Sequence, residues 1–113
     1  MNALTVNLHL LLVSFYKPTK TRNNILIERG AFPSDQYAIE SQIRFHGYSP
    51  KQCLIEIKPR EKESCLRIED MQDKIKEFGS EIATILIGGV NYYTGQSFDM
   101  KTIANEAKQV GAV

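Results

Sequence analysis

The stretch ILIERGAFPSDQYAIESQIRFHGYSPKQCLIEI, residues 25–57, decides the fold. It opens with a short apolar run, Ile25–Ile27, which is typical of a buried strand. A helix is predicted from Ser34, whose hydroxyl can cap the first turn, to about His46. A second strand is predicted over residues 53–57. The stretch is therefore a strand, a helix and a strand in succession.

The same alternation continues on both sides of this stretch. Apolar residues at three- and four-residue spacing predict helices over Asn2–Tyr16, Ile68–Phe78 and Met100–Val110, the last with Asp99 as its N-cap. The almost wholly apolar run Ile82–Ile87 is typical of a central strand covered on both faces. Helices and strands that alternate in this way predict an α/β fold built around a mostly parallel sheet.

Composition argues against several functional classes. The 113 residues carry 14 Lys+Arg and 13 Asp+Glu, a net charge of +1, so no broad basic surface attracts nucleic acid. The richest apolar stretch, Leu8–Tyr16, is far shorter than the roughly 20 residues of a membrane-spanning helix. The two histidines have no metal-ligand spacing to Cys53 or Cys65, so no metal site is predicted. The cysteines are expected to be reduced thiols.

The two ends of the chain are not typical of the ends of a domain. A helix is predicted to begin almost at residue 1, and Ala112-Val113 has the character of the first residues of another strand. Three strands also make a thin core for four helices. We therefore expect residues 1–113 to be part of a larger domain that is truncated at both ends.

Two helix starts could contribute to a ligand site, because ligands bind at the carboxyl ends of parallel strands and anions bind at helix N-termini. One is at Leu4-Thr5, where an ordinary hydroxyl in the first turn is the alternative. The other is the tract Phe32-Pro33-Ser34-Asp35, after the first predicted strand. There, Phe32 could instead pack on the helix as a hydrophobic staple, and Asp35 could serve only the helix dipole.

The segment after the third predicted strand is a further candidate. Gly88-Gly89 permits a close approach of backbone to a ligand, or simply a tight exit from the strand. Tyr92-Tyr93 could line a pocket, and a turn with two half-buried rings explains the pair equally well.

Five longer tracts occur in order along essentially the whole chain. They are Ala3–Leu11 (ALTVNLHLL), Ala31–Gln42 (AFPSDQYAIESQ), Lys58–Glu61 (KPRE), Leu66–Asp70 (LRIED) and Gly89–Gln96 (GVNYYTGQ). Together they resemble the kynureninase family, and five collinear tracts are far more specific than any short motif.

The resemblance implies part of the large domain of a fold-type-I pyridoxal-phosphate enzyme, with the aspartate-aminotransferase fold. Residues 1–113 would then be a partial cofactor-binding domain. The implied reaction is hydrolysis of L-kynurenine, or of 3-hydroxy-L-kynurenine, to anthranilate or 3-hydroxyanthranilate plus L-alanine, in tryptophan catabolism and NAD biosynthesis. The resemblance also implies a cytoplasmic homodimer that acts on small molecules, without nucleic acid or membrane partners. The implied cofactor is pyridoxal 5'-phosphate.

The resemblance also assigns roles to individual residues. The residues that it implies contact the cofactor are Leu4, Thr5, Phe32, Pro33, Ser34, Asp35 and Gly88. The first two would belong to the phosphate cradle, and Phe32 would stack on the pyridine ring. Many members of the family carry a hydroxyl residue at the position of Gly88, so a side-chain hydrogen bond is lost there, although the backbone can still lie alongside the cofactor.

Two segments of the family do not occur in this sequence. A Phe-Asp-x-Ala-His segment, whose aspartate pairs with the pyridine nitrogen, would follow Val113, and a Ser-Tyr-Lys segment with the Schiff-base lysine lies further on. No lysine here lies in a tract that resembles that motif, so no catalytic residue is assigned and the isolated chain is expected to be inactive. The alternative is a non-catalytic binding or regulatory module derived from the family.

Overall fold

The core of the molecule is a three-stranded parallel sheet. The computed structural model describes residues 3–113. The strands are β1 (Asn24–Glu28), β2 (Leu54–Ile57) and β3 (Ile82–Leu86). They lie in the order β2-β1-β3, with Leu26 in register with Ile55 on one side and Ile85 on the other. The predicted α/β class with a parallel sheet is confirmed.

Helices cover both faces of the sheet. They are α1 (Leu4–Phe15), α2 (Pro33–Phe45), the short α3 (Pro50–Cys53), α4 (Ile68–Phe78) and α5 (Met100–Val110). On one face, residues of α1 and α2 pack over Ile25 and Ile27, and on the other, residues of α4 and α5 pack over Leu26 and Ile82. Because alternate residues of β1 point to opposite faces, this strand is buried along its whole length.

The prediction that the third strand is central is wrong. β3 is covered on both faces, as its apolar run predicts, but β1 occupies the centre of the sheet. A run of apolar residues reports burial by the helices above and below, and does not report which strands lie alongside. The other edge of β3 is bonded by Val113, whose N–H donates to the Ala83 carbonyl oxygen at 3.2 Å and whose carbonyl oxygen accepts from the Ile85 N–H at 2.7 Å.

The predicted cap of the second helix is also wrong. Phe32 is the N-cap residue of α2, and Ser34 lies inside the first turn without a capping hydrogen bond. Pro33 causes this shift, because its fixed φ and missing N–H suit the first helical position. The same effect at Pro50 creates α3, so that β2 begins one residue later than predicted.

Helix α1 differs from its prediction in what it buries. It begins at Leu4, and the predicted start at Asn2 lies outside the described residues. Leu8 and Leu12 are buried as expected, whereas Leu4, Leu11 and Phe15 are exposed. The helix is apolar on most of its circumference, and the described residues cover only one side of it.

The last helix begins and ends as its sequence predicts. Asp99 is the N-cap residue of α5, and its carboxylate accepts hydrogen bonds from the N–H and the hydroxyl of Thr102. These bonds lower the pKa of the Asp99 carboxyl below its usual value. Gly111 follows the helix with a φ of 81°, a left-handed conformation that glycine adopts at no steric cost.

Candidate functional site

An apolar cleft of about 390 Å³ lies at the carboxyl edge of the sheet. Its floor is formed by the ends of β1 and β3, through Ile27, Glu28 and Leu86. One wall is the amino-terminal half of α1. The opposite wall comes from the loops that follow β1 and β3. The cleft is therefore built from segments distant in sequence, which the parallel sheet brings to one edge.

The opposite wall is aromatic. The ring of Phe32, at the start of α2, contacts the ring of Tyr92, in the loop after β3, with centroids 5.1 Å apart and planes at 74°. Both residues line the cleft, and both are more than half exposed. The edge-to-face geometry is one that aromatic pairs prefer. Phe32 is thus held by another loop and leaves part of its ring available to a ligand.

The start of α1 forms the mouth of the cleft on the other side. The first backbone hydrogen bond of this helix runs from the Asn7 N–H to the Ala3 carbonyl oxygen at 3.0 Å. The amides of the first turn of a helix generally have no acceptor within the helix itself. Within residues 3–113 no side chain caps the start of α1, and its first turn carries no acidic residue. This helix start is therefore open to an anion.

Four of the seven predicted contact residues line this cleft, namely Leu4, Phe32, Asp35 and Gly88. The three that do not line it are Thr5, Pro33 and Ser34. Thr5 is an exposed residue of the first turn of α1, next to Leu4 in the sequence. Pro33 and Ser34 form the first turn of α2, between Phe32 and Asp35, so they shape the backbone between two lining residues.

Gly88 leaves open space at the edge of the cleft. A Cβ atom placed on Gly88 would meet only the Val90 carbonyl oxygen, at 3.5 Å, which is an ordinary contact. Its φ does not lie in the left-handed region, so an L residue with a side chain fits this backbone. The glycine is not required by the fold at this position.

Sequence reasoning missed a buried polar pair beneath the aromatic wall. Glu28, at the end of β1, and Asn91, in the loop after β3, are both more than nine-tenths buried. The Asn91 amide Nδ2 donates to the Glu28 carboxylate Oε2 at 2.9 Å. The only sequence signal is that an asparagine ahead of Tyr-Tyr-Thr-Gly is typical of a turn in which its side chain bonds the backbone.

The loop after β3 is also attached on its other side. The Gln96 side chain accepts from the Leu66 N–H at 2.8 Å and donates to the Leu66 carbonyl oxygen at 2.6 Å. Nearby, the Arg60 guanidinium donates twice to the Asp70 carboxylate, at 2.8 and 3.0 Å, and holds the pKa of that carboxyl below its usual value. This ion pair ties the loop that contains Arg60 to the start of α4.

Other classes of site find no support in the part of the chain that the structure describes. Within residues 3–113, no three side chains of the histidine, cysteine or acidic types come together to hold a metal ion. No helix there has both the length and the apolar character needed to cross a membrane. Both cysteines are free, Cys53 buried and Cys65 exposed.

An apolar cleft at the carboxyl edge of a parallel sheet, beside a helix start, is an arrangement in which α/β proteins bind small organic ligands with an anionic group. The chain is 59% identical over 112 residues to kynureninase of Flavobacterium psychrophilum, 55% over 113 residues to that of Nematostella vectensis and 50% over 113 residues to that of Dictyostelium discoideum. The chain belongs to the kynureninase family.

The chain spans about a quarter of the length of these relatives. The three alignments cover 99%, 100% and 100% of this chain and 26%, 24% and 25% of the relatives. No family model matches the chain. Its fold is similar to a chain in the crystal structure of the SepCysS–SepCysE N-terminal domain complex, with a TM-score of 0.60 and 15% identity. That match covers 93% of this chain and 28% of the other, and it shows the α/β fold.

Proposed function

We propose that this chain supplies part of the pyridoxal-phosphate pocket of a kynureninase. The complete enzyme would hydrolyse L-kynurenine or 3-hydroxy-L-kynurenine to anthranilate or 3-hydroxyanthranilate plus L-alanine. The observation that carries the proposal is that Leu4, Phe32, Asp35 and Gly88, from three separate segments, line one cleft. Two of these segments lie in tracts that resemble the family, and the third, at Gly88, directly precedes such a tract.

The residues around the cleft fit a planar ring that carries a phosphate. Leu8 in the wall and Leu86 in the floor provide apolar surfaces for the ring, and the Phe32 ring provides an aromatic surface. The open start of α1 provides N–H donors and the positive end of a helix dipole for the phosphate. Pyridoxal phosphate, when bound, supplies an electron sink for the reaction of an amino-acid substrate.

The charges in the cleft favour one orientation of the cofactor. Asp35 carries a carboxylate in the first turn of α2, on the wall opposite α1. A carboxylate repels a phosphate, so the phosphate would lie at Leu4 and Thr5 and the ring would extend toward Phe32 and Asp35. Thr5 would add its exposed hydroxyl to the amides of this helix start. Pro33 and Ser34 would set the backbone that presents Phe32 and Asp35.

The proposal extends to the setting of the complete enzyme, which would be a cytoplasmic homodimer. Support for burial of α1 against further protein comes from its exposed apolar side chains Leu10, Val13 and Phe15. No lysine of this chain lies among the residues that line the cleft. We therefore propose that the 113-residue chain binds the cofactor without catalysing the reaction.

Pyridoxamine 5'-phosphate tests the cofactor assignment. It carries the ring and phosphate but no aldehyde, so it cannot react with surface lysines. Saturable one-to-one binding to the 113-residue chain, measured by equilibrium dialysis and displaced by pyridoxal phosphate, is expected. Phe32→Leu should weaken binding about threefold to tenfold through loss of the stacking surface. Phe45→Leu is the matched control, because Phe45 is an exposed phenylalanine at the other end of α2.

A second assay tests the proposed lack of activity. The chain is incubated with L-kynurenine and pyridoxal phosphate, and anthranilate is measured by its fluorescence. No release above the protein-free rate is expected. If the chain releases anthranilate and the Phe32→Leu variant does not, the proposal that catalysis needs segments outside this chain is contradicted. Absence of saturable binding in the first assay would instead contradict the cofactor assignment.

A further inference from the structure

We propose that Glu28 and Asn91 are positioning residues of the cleft. Their buried hydrogen bond fixes the loop after β3 to the end of β1, and this attachment places the Tyr92 ring against Phe32. The identity of the ligand in this inference rests on the proposed function. The positioning of the aromatic wall does not rest on it.

A buried carboxylate is costly unless it is well bonded. Glu28 is 7% exposed, and no ion pair among residues 3–113 includes it. Its observed side-chain partner is the Asn91 amide at 2.9 Å. Such a carboxylate stabilises the fold less than an apolar residue would, so its role is better sought in what it holds in place.

Asn91 joins this carboxylate to the backbone of the loop. Its Nδ2 bonds Glu28, while its Oδ1 accepts from the N–H groups of Tyr93 and Thr94, both at 2.9 Å. Both ends of the amide are therefore used. One end shapes the turn and the other end attaches the turn to the sheet. Tyr92 lies between the bonded residues, so its backbone is fixed by the same side chain.

The pair acts on the cleft through a short path. Glu28 lines the cleft and ends the strand that leads, four residues later, to Phe32. Asn91 directly precedes Tyr92. The hydrogen bond thus connects the chain segments that carry the two rings.

Exchange of the two side-chain types tests the inference. Asn91→Asp keeps an Oδ1 acceptor for the turn but places a second carboxylate against Glu28, where like charges repel. The double variant Glu28→Gln with Asn91→Asp restores a donor and an acceptor with their positions exchanged. Both changes are nearly isosteric. Gln72→Glu is the matched control, because Gln72 Nε2 donates to Glu106 Oε1 at 3.1 Å between α4 and α5, on the other face of the sheet.

Two readouts are measured for each variant of the 113-residue chain. The first is the nuclear Overhauser cross-peak between ring protons of Phe32 and Tyr92 in the NMR spectrum, which a centroid distance of 5.1 Å makes observable. The second is affinity for pyridoxamine 5'-phosphate. Asn91→Asp should abolish the cross-peak and lower affinity about tenfold, the effect of losing a hydrogen bond to a charged group. The double variant should restore both, and Gln72→Glu should leave both unchanged.

The outcomes separate this inference from the proposed function. A cross-peak that persists in Asn91→Asp, or that is lost and not regained in the double variant, overturns the positioning role. A cross-peak that is lost and regained, in a chain that binds no pyridoxamine 5'-phosphate, supports the positioning role and contradicts the cofactor assignment. Equal effects of Asn91→Asp and Gln72→Glu on the cross-peak would show a general loss of stability and also overturn the inference.

Discussion

The rings of Phe32 and Tyr92 meet edge to face, with their centroids 5.1 Å apart. The two residues are separated by sixty positions in the sequence, and each lies in a loop after a parallel strand. Because both strands end at the same edge of the sheet, their loops meet there. The aromatic surface of the cleft is thus a property of the sheet topology and not of either loop alone.

Tyr92→Leu should therefore weaken ligand binding although Tyr92 is not among the residues that the family resemblance assigns to the cofactor. Loss of the edge-to-face partner removes an interaction free energy of about 0.5–1.5 kcal/mol that holds the Phe32 ring in its orientation. We expect the affinity for pyridoxamine 5'-phosphate to fall about twofold to tenfold. Tyr37→Leu, an exposed tyrosine of α2 outside the cleft, serves as control. An equal loss in both variants would argue against the aromatic wall.

Gly88→Ser should strengthen binding without loss of stability. The new Cβ meets only the Val90 carbonyl oxygen at 3.5 Å, and the hydroxyl would lie at the edge of the cleft. One added hydrogen bond of about 1 kcal/mol corresponds to roughly fivefold higher affinity. Gly88→Ala is the matched control, since it adds the Cβ without the hydroxyl. Equal affinity of the serine and alanine variants would contradict a ligand contact at this position.

Much of the fold could be predicted because it depends on local patterns. The periodicity of Ile68–Phe78 predicts α4 at its observed bounds, and the cap at Asp99 is read correctly because its partner, Thr102, is three residues away. The order of strands and the exposed side of α1 were not predictable in the same way, because they depend on contacts between distant segments, which no local pattern records.

The candidate site was predictable to the extent that it lies in recognisable tracts. Phe32 and Asp35 fall in such a tract, and the structure places both at the cleft. The Glu28–Asn91 pair was missed, because a glutamate that ends an apolar strand resembles an ordinary polar boundary. Its burial becomes evident only when the loop after β3 covers it.

Gly79→Ala should destabilise the chain, because other atoms lie too close to Gly79 for a side chain to fit. Gly79 follows α4, where glycine commonly adopts a left-handed conformation, yet its φ is −50°. A Cβ there would lie 2.7 Å from Val110 Cγ1 and 2.9 Å from the Ile75 carbonyl oxygen. We expect a loss of about 1–3 kcal/mol in the free energy of urea unfolding.

Gly89→Ala is the control for this measurement. A Cβ at Gly89 meets no atom within 4 Å, and its φ is not positive. Its free energy of unfolding should stay within about 1 kcal/mol of the wild-type value. If both alanine variants lower the free energy of unfolding by the same amount, the loss at Gly79 comes from the backbone and not from the contact with Val110 of α5.

The two cysteines should differ in their reaction with iodoacetamide. Cys53 is 4% exposed, its thiol donates to the Asn23 side-chain oxygen at 3.4 Å, and burial raises its pKa. Both effects lower the amount of accessible thiolate, which is the reactive form. Cys65 is exposed. We expect Cys65 to be alkylated at least about tenfold faster, as measured by peptide mass spectrometry.

The Cys65→Ser variant makes this test specific. Under native conditions it should take up little label, and urea should release the reactivity of Cys53. Rapid labelling of Cys65→Ser without urea would show that the core around Cys53 opens readily.

The cap of α5 should make stability depend on pH through Asp99. Hydrogen bonds from the Thr102 side chain and backbone lower the pKa of this carboxyl in the folded state. The unfolded chain therefore binds the proton more tightly, so the stabilisation is present above the unfolded-state pKa and is lost as pH falls through the folded-state pKa. Asp99→Asn keeps an acceptor for Thr102 but has no proton to take up.

We expect the wild type to exceed Asp99→Asn in the midpoint of urea unfolding at neutral pH and to lose that advantage on acidification. Because the cause is the contact with Thr102, the advantage should already be smaller at neutral pH when both chains carry Thr102→Val. An advantage that does not change with pH would assign the effect to side-chain shape, since only a titrating carboxylate links the cap to proton binding.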